Sequence, residues 1–187
     1  MNAEHLAYCA GPEWAELVRD HIVPWVARGL DLGGHLLEIG PGPGATTDVL
    51  RHLVPRLTAV ELDAELAAAL AARFSGTNVE VVHGDATALP FEGRPFSAAI
   101  CLTMLHHVPS MEAQDRLLAG MARAVAPGGL VIGSDNLDSP EFRAFHEGDI
   151  CTPVAPDGLA ARLERLGMRD AAVETNPYAF RFVARAG

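Results

Sequence analysis

Three glycines at alternate positions, directly after a short apolar run, most constrain what this chain can fold into. The run spans residues 36–39, and Gly40, Gly42 and Gly44 follow it, before a segment with the apolar spacing of a helix. A glycine has no Cβ, so the backbone can bend sharply there and a ligand can approach it closely. The helix behind such a loop adds unpaired N–H groups and the positive end of a dipole. The pattern predicts a strand, a tight turn and a helix that together hold a nucleotide-like molecule.

The glycine pattern alone leaves the ligand open. Residues 40–45 satisfy the dinucleotide fingerprint, with an alanine in its last place. Together with Glu38, the same residues form Glu-x-Gly-x-Gly-x-Gly, which resembles motif I of the class I S-adenosylmethionine (SAM)-dependent methyltransferases. A glycine-rich turn without any ligand is the third interpretation. Residues further along the chain have to distinguish NAD from SAM.

The charge balance bears on the partners of the chain. Acidic residues outnumber basic ones, 24 against 14, which gives a formal net charge of −10. Nucleic-acid binding depends on clustered cations that neutralise phosphates, and the sequence has no run of Lys or Arg. The composition therefore predicts no nucleic-acid partner.

The remaining bulk features predict a cytoplasmic protein without a membrane partner. No apolar run approaches the ~20 residues of a membrane span, and the first residues do not resemble a signal peptide. Cys9, Cys101 and Cys151 form no CxxC pair, and the eight histidines show no HExxH spacing. No metal site is predicted, and the oligomeric state is left open.

Short apolar runs alternate with amphipathic segments along most of the chain, which is typical of βαβ units around a mostly parallel sheet. Asp63 and Ser110 stand where helix N-caps are expected, and an Asn-Pro turn at 176–177 predicts that the last two strands pair antiparallel. The predicted strands span 36–39, 57–61, 79–83, 96–102, 130–134, 171–175 and 179–184, and the predicted helices span 45–53, 64–74, 111–125 and 158–166.

A single domain, residues 1–187, is predicted, with a helical cap at 1–34 before the core at 35–187. The cap contains an amphipathic stretch at 13–28 that Pro24 interrupts.

Residues 1–20 and a long connection at 135–157, with a short helix predicted at 140–147, should meet at the carboxyl edge of the sheet. Ligands bind at that edge in open α/β folds, so we expect these segments to form a roof over the site. The side chains predicted to contribute to this roof are Tyr8, Trp14, Phe142, Phe145, His146 and Tyr178.

Two carboxylates, each just after one of two neighbouring strands, are candidate contacts for the cofactor. Glu61 ends the second strand, where a carboxylate can accept hydrogen bonds from ribose hydroxyls; this fits NAD and SAM equally. Asp85 and Ala86 follow the third strand and precede Leu-Pro-Phe at 89–91. They resemble the methyltransferase segment in which an aspartate and the next backbone N–H recognise the adenine edge. Dinucleotide enzymes do not need an acid there, although Asp85 also suits a plain turn.

Two further segments extend the resemblance to the methyltransferases over roughly residues 36–135. Residues 105–108 read Leu-His-His-Val after the fourth strand, which is frequent in small-molecule methyltransferases. Residues 127–129 resemble the Pro-Gly-Gly turn that enters the family's fifth strand. The resemblance implies an α/β, single-domain, Rossmann-like fold, whose seven-stranded sheet has the order 3-2-1-4-5-7-6, an antiparallel last strand and helices on both faces.

The same resemblance implies transfer of a methyl group from SAM to a small-molecule acceptor, with S-adenosylhomocysteine as the product. In the family that the chain resembles, the backbone carbonyl at the end of the fourth strand faces the ammonium group of the SAM methionine. The cofactor-binding residues implied in this way are Glu38, Gly40, Pro41, Gly42, Gly44, Glu61, Leu62, Asp85, Ala86 and Cys101.

A proton acceptor is predicted beside the transferred methyl group. His106 and His107 follow the fourth strand and Asp135 ends the fifth, so the fold should bring them to the same edge. Histidine accepts protons near neutral pH, and a carboxylate can orient its ring. These three are the predicted catalytic residues, with His106 favoured as the base. The alternative is that both histidines are structural and that proximity alone drives methylation.

Other functions stay open on the sequence. An NAD(P)-dependent oxidoreductase would share the glycine loop and Glu61 but would leave Asp85 and the histidine pair unexplained. A non-catalytic SAM-binding subunit is disfavoured by the intact glycine loop. Non-methylating chemistry on a SAM-binding fold is the third alternative.

Overall fold

A seven-stranded sheet runs through the computed structural model of the chain, which describes residues 2–88 and 95–187. The sheet has the order β3-β2-β1-β4-β5-β7-β6, in which β1 to β5 pair in parallel and β7 is antiparallel to both β5 and β6. The predicted fold class and strand order are confirmed. The strands are β1 (His35–Ile39), β2 (Arg56–Glu61), β3 (Val79–His83), β4 (Phe96–Leu102), β5 (Val125–Asn136), β6 (Met168–Thr175) and β7 (Ala179–Ala186).

Helices cover both faces of this sheet. The side chain of Asp63 accepts from the backbone N–H groups of Glu65 and Leu66, and Ser110 accepts from Ala113, so both predicted N-caps are present. The helices are α1 (Ala3–Cys9), α2 (Pro12–Leu17), a π-helical turn (Val18–Ile22), α3 (Val23–Val26), α4 (Ala45–Leu50), α5 (Ala64–Arg73), a 3₁₀ turn (Leu105–His107), α6 (Met111–Ala124), α7 (Pro140–Phe145) and α8 (Leu159–Arg165).

Alternation along the strands divides the core into two layers. Leu36 belongs to the layer that packs against the N-terminal helices and α4, whereas Leu37 belongs to the layer under α6 and α8. Ile100 and Cys101 of the central strand β4 separate in the same way. Successive side chains of a strand point to opposite faces, so a sheet covered on both sides reads as an unbroken apolar run.

The N-terminal segment continues through Pro24, where the sequence predicts an interruption. Pro24 has no N–H group, and its ring would collide with the carbonyl of the preceding helical turn. The chain widens into the π-helical turn just before it, in which the Val23 N–H donates to the Val18 carbonyl. Arg181 of β7 then donates to the carbonyls of Trp25 and Val26, at 2.8 and 3.1 Å, and fixes the end of α3 on the sheet.

Several predicted boundaries differ from the observed ones. Strand β5 begins at Val125 rather than at residue 130, since its pairing with β4 shifts register between Phe96 and Ala98. Gly128 has a φ of +80° there, so the Pro-Gly-Gly segment is an irregularity within a strand instead of a loop before it. Helix α1 was not predicted. The Leu-Pro-Phe segment at 89–91 lies outside the described residues.

Within residues 2–88 and 95–187, no helix is long and apolar enough to cross a membrane.

Candidate functional site

The glycine loop forms the tight turn between β1 and α4. Gly40, Gly42 and Gly44 all have positive φ angles, of 67°, 55° and 91°. The Gly44 N–H donates to the Pro41 carbonyl at 2.9 Å, which closes the turn. A Cβ at Gly44 would lie 2.4 Å from Leu70 of α5, so this position needs glycine for its backbone conformation and for space.

Glu38 anchors the loop from behind. Its carboxylate is buried and accepts hydrogen bonds from the hydroxyl groups of Thr46 and, at 2.7 Å, Thr47, both on α4. Burial raises the pKa of Glu38 to about 7, against the lowering effect of these two hydroxyls. Glu38 therefore ties β1 to the helix behind the loop and does not itself reach the cavity described below.

Glu61 lies across the loop at the end of β2. One of its carboxylate oxygens accepts from the Gly42 N–H and the other from the Asp63 N–H, each at 2.9 Å. The side chain thus connects the glycine loop to the N-cap of α5. It also lines the cavity in front of the loop, so one carboxylate faces the ligand space and orders the backbone around it.

That space, the glycine-loop cavity, has a volume of about 790 Å³. Asp85 is an exposed residue of the cavity wall, and its carboxylate accepts from the Thr87 N–H at 2.8 Å. Cys101 and Gly44 are buried behind the wall, as Glu38 is. The predicted site residues that line the cavity are Gly40, Pro41, Gly42, Glu61, Leu62, Asp85, Ala86 and His107.

A second space, the aromatic cavity, has a volume of about 830 Å³ and lies at the carboxyl end of β5. Both predicted roof segments contribute to it, and both also line the glycine-loop cavity. Trp14 and Thr103 belong to the walls of both cavities, so the two spaces meet there. The aromatic side chains of its wall are Tyr8, Trp14, Trp25, Phe142, Phe145 and Tyr178.

Thr103 has a strained backbone at this junction. Its φ is +51°, which is uncommon for a β-branched residue. Its N–H donates to the Ser134 carbonyl of β5 at 2.8 Å, and this bond holds the conformation. Strained residues of this kind concentrate at functional sites. Nothing in the sequence around Thr103 signals the strain, because it arises from the pairing of β4 with β5.

The structure brings His106 and Asp135 together. The Asp135 carboxylate accepts from the His106 backbone N–H at 3.0 Å and lies 2.6 Å from Nδ1 of the same residue. Asp135 is fully buried and His106 is 2% exposed, with its ring packed edge-on against Phe142. Among the described cavity walls, His107 lines the glycine-loop cavity, whereas His106 lies behind them.

His5 of α1 packs beside His106 and His107, although nothing in the sequence around His5 indicates this contact. Burial, followed by the neighbouring imidazoles His146 and His106, lowers the pKa of His5 to about 4. Burial and the same kind of neighbours lower the pKa of His107 to about 3. Both rings are therefore neutral near pH 7. No local pattern could have predicted this, since the histidines come from distant parts of the chain.

Comparison with known families gives a match over half of the chain. The model of a family described as "Methyltransferase domain" matches residues 36–129, which include the glycine loop, Glu61 and Asp85.

Solved structures share the whole fold. The DhpI–SAH complex is 26% identical, with a TM-score of 0.68 over 97% of this chain and 95% of that one. A SAM-dependent methyltransferase from Aquifex aeolicus is 17% identical, with a TM-score of 0.76 over all of both chains. CalS10 from Micromonospora echinaspora, an amino pentose methyltransferase, is 17% identical, with a TM-score of 0.73 over 100% of this chain and 98% of its own.

Curated relatives include enzymes that act on RNA. Ribosomal RNA small subunit methyltransferase A from Geobacter metallireducens is 43% identical over 72 residues, which are 37% of this chain and 26% of that protein. An rRNA adenine N-6-methyltransferase from Corynebacterium diphtheriae is 52% identical over 52 residues, 28% of this chain and 21% of its own length. The chain thus spans about a quarter of the length of these relatives.

These relatives act on RNA by name, so the prediction that excluded nucleic acid as a partner was wrong, and the kind of acceptor is open again. The exclusion rested on a net charge of −10, which averages over the whole surface of the chain. Contacts to phosphates depend on the local arrangement of cations. Net charge is therefore too coarse to exclude an acceptor.

Proposed function

The chain belongs to the methyltransferase-domain family, the class I SAM-dependent methyltransferases, and on that premise we propose that it transfers the SAM methyl group to a small acceptor in the aromatic cavity. The observation that carries this proposal is the junction of the two cavities at Trp14 and Thr103. A cofactor on one side of the junction and an acceptor on the other would place the reacting groups next to each other.

The glycine-loop cavity fits SAM in its chemistry. The loop offers backbone without side chains, Glu61 offers a charged acceptor for ribose hydroxyls, and Asp85 offers an exposed carboxylate near the Ala86 N–H for an adenine edge. The DhpI–SAM–HEP complex, 24% identical, has the same fold over 97% of this chain. We propose the ten cofactor-binding residues on this basis, with Glu38, Gly44 and Cys101 acting from behind the wall.

The aromatic cavity supports a small, partly apolar acceptor. Its volume of about 830 Å³ lies within the ~300–1,000 Å³ of small-molecule sites. Ser134, Asn136 and Ser139 add a few polar groups to an aromatic wall, which is the composition that orients an apolar ligand.

Bound SAM supplies an electrophilic methyl group on a sulfonium. The protein contributes orientation and the exclusion of water, and orientation alone can lower a barrier by several kcal/mol. His106 as the base stays a prediction: it requires the buried Nε2 of His106 to reach the acceptor. In the described arrangement, His106 and Asp135 position the turn after β4, since both backbone and ring of His106 are held by one carboxylate.

The cap is part of the same proposal. We propose that residues 1–34 close both cavities over the core at 35–187, supported by the attachment of α3 through Arg181 and by α1 and α2 in both cavity walls. A cytoplasmic location stays a prediction from the sequence.

An RNA acceptor is the second candidate, favoured by the names of the curated relatives. Those alignments cover less than half of this chain, so they concern the part that the methyltransferase domain shares.

Labelled SAM, offered with a metabolite extract in one reaction and with ribosomal subunits in another, tests the proposal. We expect label in small molecules, and Tyr178→Ala, on the wall of the aromatic cavity, should raise the acceptor KM without changing SAM affinity. Leu53→Ala, an exposed apolar residue outside both cavity walls, is the matched control. Label in RNA alone would replace the proposal with the second candidate, and label in neither would refute both.

A further inference from the structure

Four imidazole rings converge beside the glycine-loop cavity: His5, His106, His107 and His146. The ring centroids of His5 and His146 are 4.6 Å apart, and those of His106 and His107 are 4.1 Å apart. His107 and His146 are separated by 5.3 Å. Four rings packed this closely have few ways to satisfy their nitrogen atoms without a shared partner.

Each of these rings holds a buried nitrogen without a hydrogen-bond partner. The atoms are Nδ1 of His5 and Nε2 of His106, His107 and His146. A buried polar atom that lacks a partner costs about 1–3 kcal/mol, so four in one cluster call for an explanation. A cation bound by the nitrogen lone pairs would satisfy several of them at once.

In two of these rings, His107 and His146, the other nitrogen is held as it is in metal sites. Nδ1 of His146 lies 2.7 Å from the Phe142 carbonyl, and Nδ1 of His107 lies 3.2 Å from the Ile150 carbonyl. A carbonyl can only accept, so in both rings the proton belongs on Nδ1 and the lone pair on Nε2. Metal-binding histidines typically donate their second N–H to a backbone carbonyl or a carboxylate in this way.

We propose that His5, His107 and His146 form a binding site for one divalent transition-metal ion of the zinc class. One ring nitrogen of each lies within 4.8 Å of those of the other two. A tetrahedral ion with bonds of ~2.0–2.1 Å needs nitrogens about 3.4 Å apart, so binding would bring the three nitrogens to about that separation. Imidazole suits zinc, copper, nickel and iron, and excludes magnesium and calcium, which prefer oxygen.

The surroundings favour a cation. The Asp149 carboxylate lies 3.9 Å from Nδ1 of His5 and 3.8 Å from Nδ1 of His107. Asp135 holds the ring of His106, which packs 4.1 Å from the ring of His107 and 4.6 Å from that of His146 between centroids. Two carboxylates close to the cluster balance the charge that three neutral imidazoles leave on a divalent ion.

The site opens towards the glycine-loop cavity, because His5, His107 and Asp149 all line that cavity. Three protein ligands with a free fourth position are the pattern of metal sites that also bind a small ligand. The metal site goes beyond the proposed methyl transfer and does not depend on the identity of the acceptor.

Cobalt(II) titration of the full chain, dialysed against a chelator beforehand, tests the site directly. We expect one Co²⁺ per chain, with the intense visible absorption of a four-coordinate site, and displacement of that absorption by Zn²⁺. His146→Phe keeps an aromatic ring in the cluster but removes a ligand, and His5→Ala removes another. Each variant should weaken Zn²⁺ binding by more than about 100-fold, beyond the ~10- to 100-fold effect of outer groups.

His52→Ala is the matched control, since His52 is exposed and outside both cavity walls. It should bind Co²⁺ as the parent does. Circular dichroism shows whether each variant keeps its fold, and His146→Phe serves if His5→Ala unfolds. Absence of Co²⁺ absorption in the parent, or equal binding by folded His146→Phe, would overturn the proposal. Neither Co²⁺ absorption nor Zn²⁺ affinity depends on methyl transfer, so a failure of the metal-site proposal is distinguishable from a failure of the proposed function.

Discussion

Glu38 should make the stability of the fold depend on pH in an unusual direction. Its carboxylate is buried between β1 and α4, and burial raises its pKa from 4.5 to about 7. Between these two values the unfolded chain has lost the proton that the folded chain keeps. The folded state then binds more protons, so the free energy of unfolding falls as pH rises.

The size of the effect follows from the two pKa values. A difference of one pKa unit is worth 1.36 kcal/mol, so a shift from 4.5 to about 7 corresponds to about 3 kcal/mol. This stabilisation is fully present below about pH 4.5 and is lost as pH rises through about 7. Glu38→Gln has no proton to lose, so its stability should lack this component.

Urea unfolding of the parent and of Glu38→Gln across this pH range measures the difference. The stability of the parent relative to the variant should fall by about 3 kcal/mol from pH 4.5 to above pH 7. Glu164→Gln, which replaces an exposed carboxylate of α8, is the control and should follow the parent throughout. A constant difference between parent and Glu38→Gln would refute the buried, protonated carboxyl. A difference that grows with pH in the opposite sense would show that the two threonine hydroxyls outweigh burial.

Three further predictions concern the loop, the cofactor and the cap. Glu61→Ala should weaken SAM binding about 10- to 150-fold in calorimetry, because hydrogen bonds to a charged group worth ~1.5–3 kcal/mol are lost. Glu164→Ala is the control, and unchanged SAM affinity of Glu61→Ala would refute the ribose assignment. Gly44→Ala should lower the free energy of unfolding by about 2–4 kcal/mol, since φ is +91° and the new Cβ would collide with Leu70. Gly76→Ala, with φ of +76° and open space around it, is the control and should lower it by only about 1–2 kcal/mol. Equal losses would show that α5 moves to make room for the Cβ. Arg181→Ala should lower the free energy of unfolding by about 1.5–3 kcal/mol and increase hydrogen exchange in residues 12–26. Arg28→Ala removes an exposed ion pair with the same Glu174 and should lower it by under ~1 kcal/mol. Unchanged protection in the Arg181 variant would show that other contacts hold the cap.

Local signals in the sequence were sufficient for elements whose ends are set by neighbouring residues. Asp63 and Ser110 mark helix starts because an N-cap depends only on the next three residues. The strand order came from the resemblance to a family, since nothing in a strand's own residues states its neighbours. The start of β5 at Val125 was missed because the Pro-Gly-Gly turn is absorbed by a register shift against β4.

The site was predictable where it lies on one loop and unpredictable where it is assembled from several. Gly40, Gly42 and Gly44 could be read directly, as their positive φ angles require glycine. Trp14 was expected at the roof from its position, but Thr103 gave no signal. His5 and His146 meet only because α1 packs against the 145–149 segment, where the Asn2 N–H donates to Asp149 at 3.0 Å. Such a contact is a property of the tertiary structure.

The shared wall between the two cavities has a consequence for how this protein could change over time. Among the described residues, Trp14 and Thr103 alone belong to both walls. Substitutions at Trp25 or Tyr178, aromatic residues on the wall of the aromatic cavity alone, would alter that space without changing the wall of the glycine-loop cavity. New acceptor preferences could then arise by single steps that each leave cofactor affinity intact. A mutational library confined to these aromatic positions is therefore the economical starting point for redesigning the molecule.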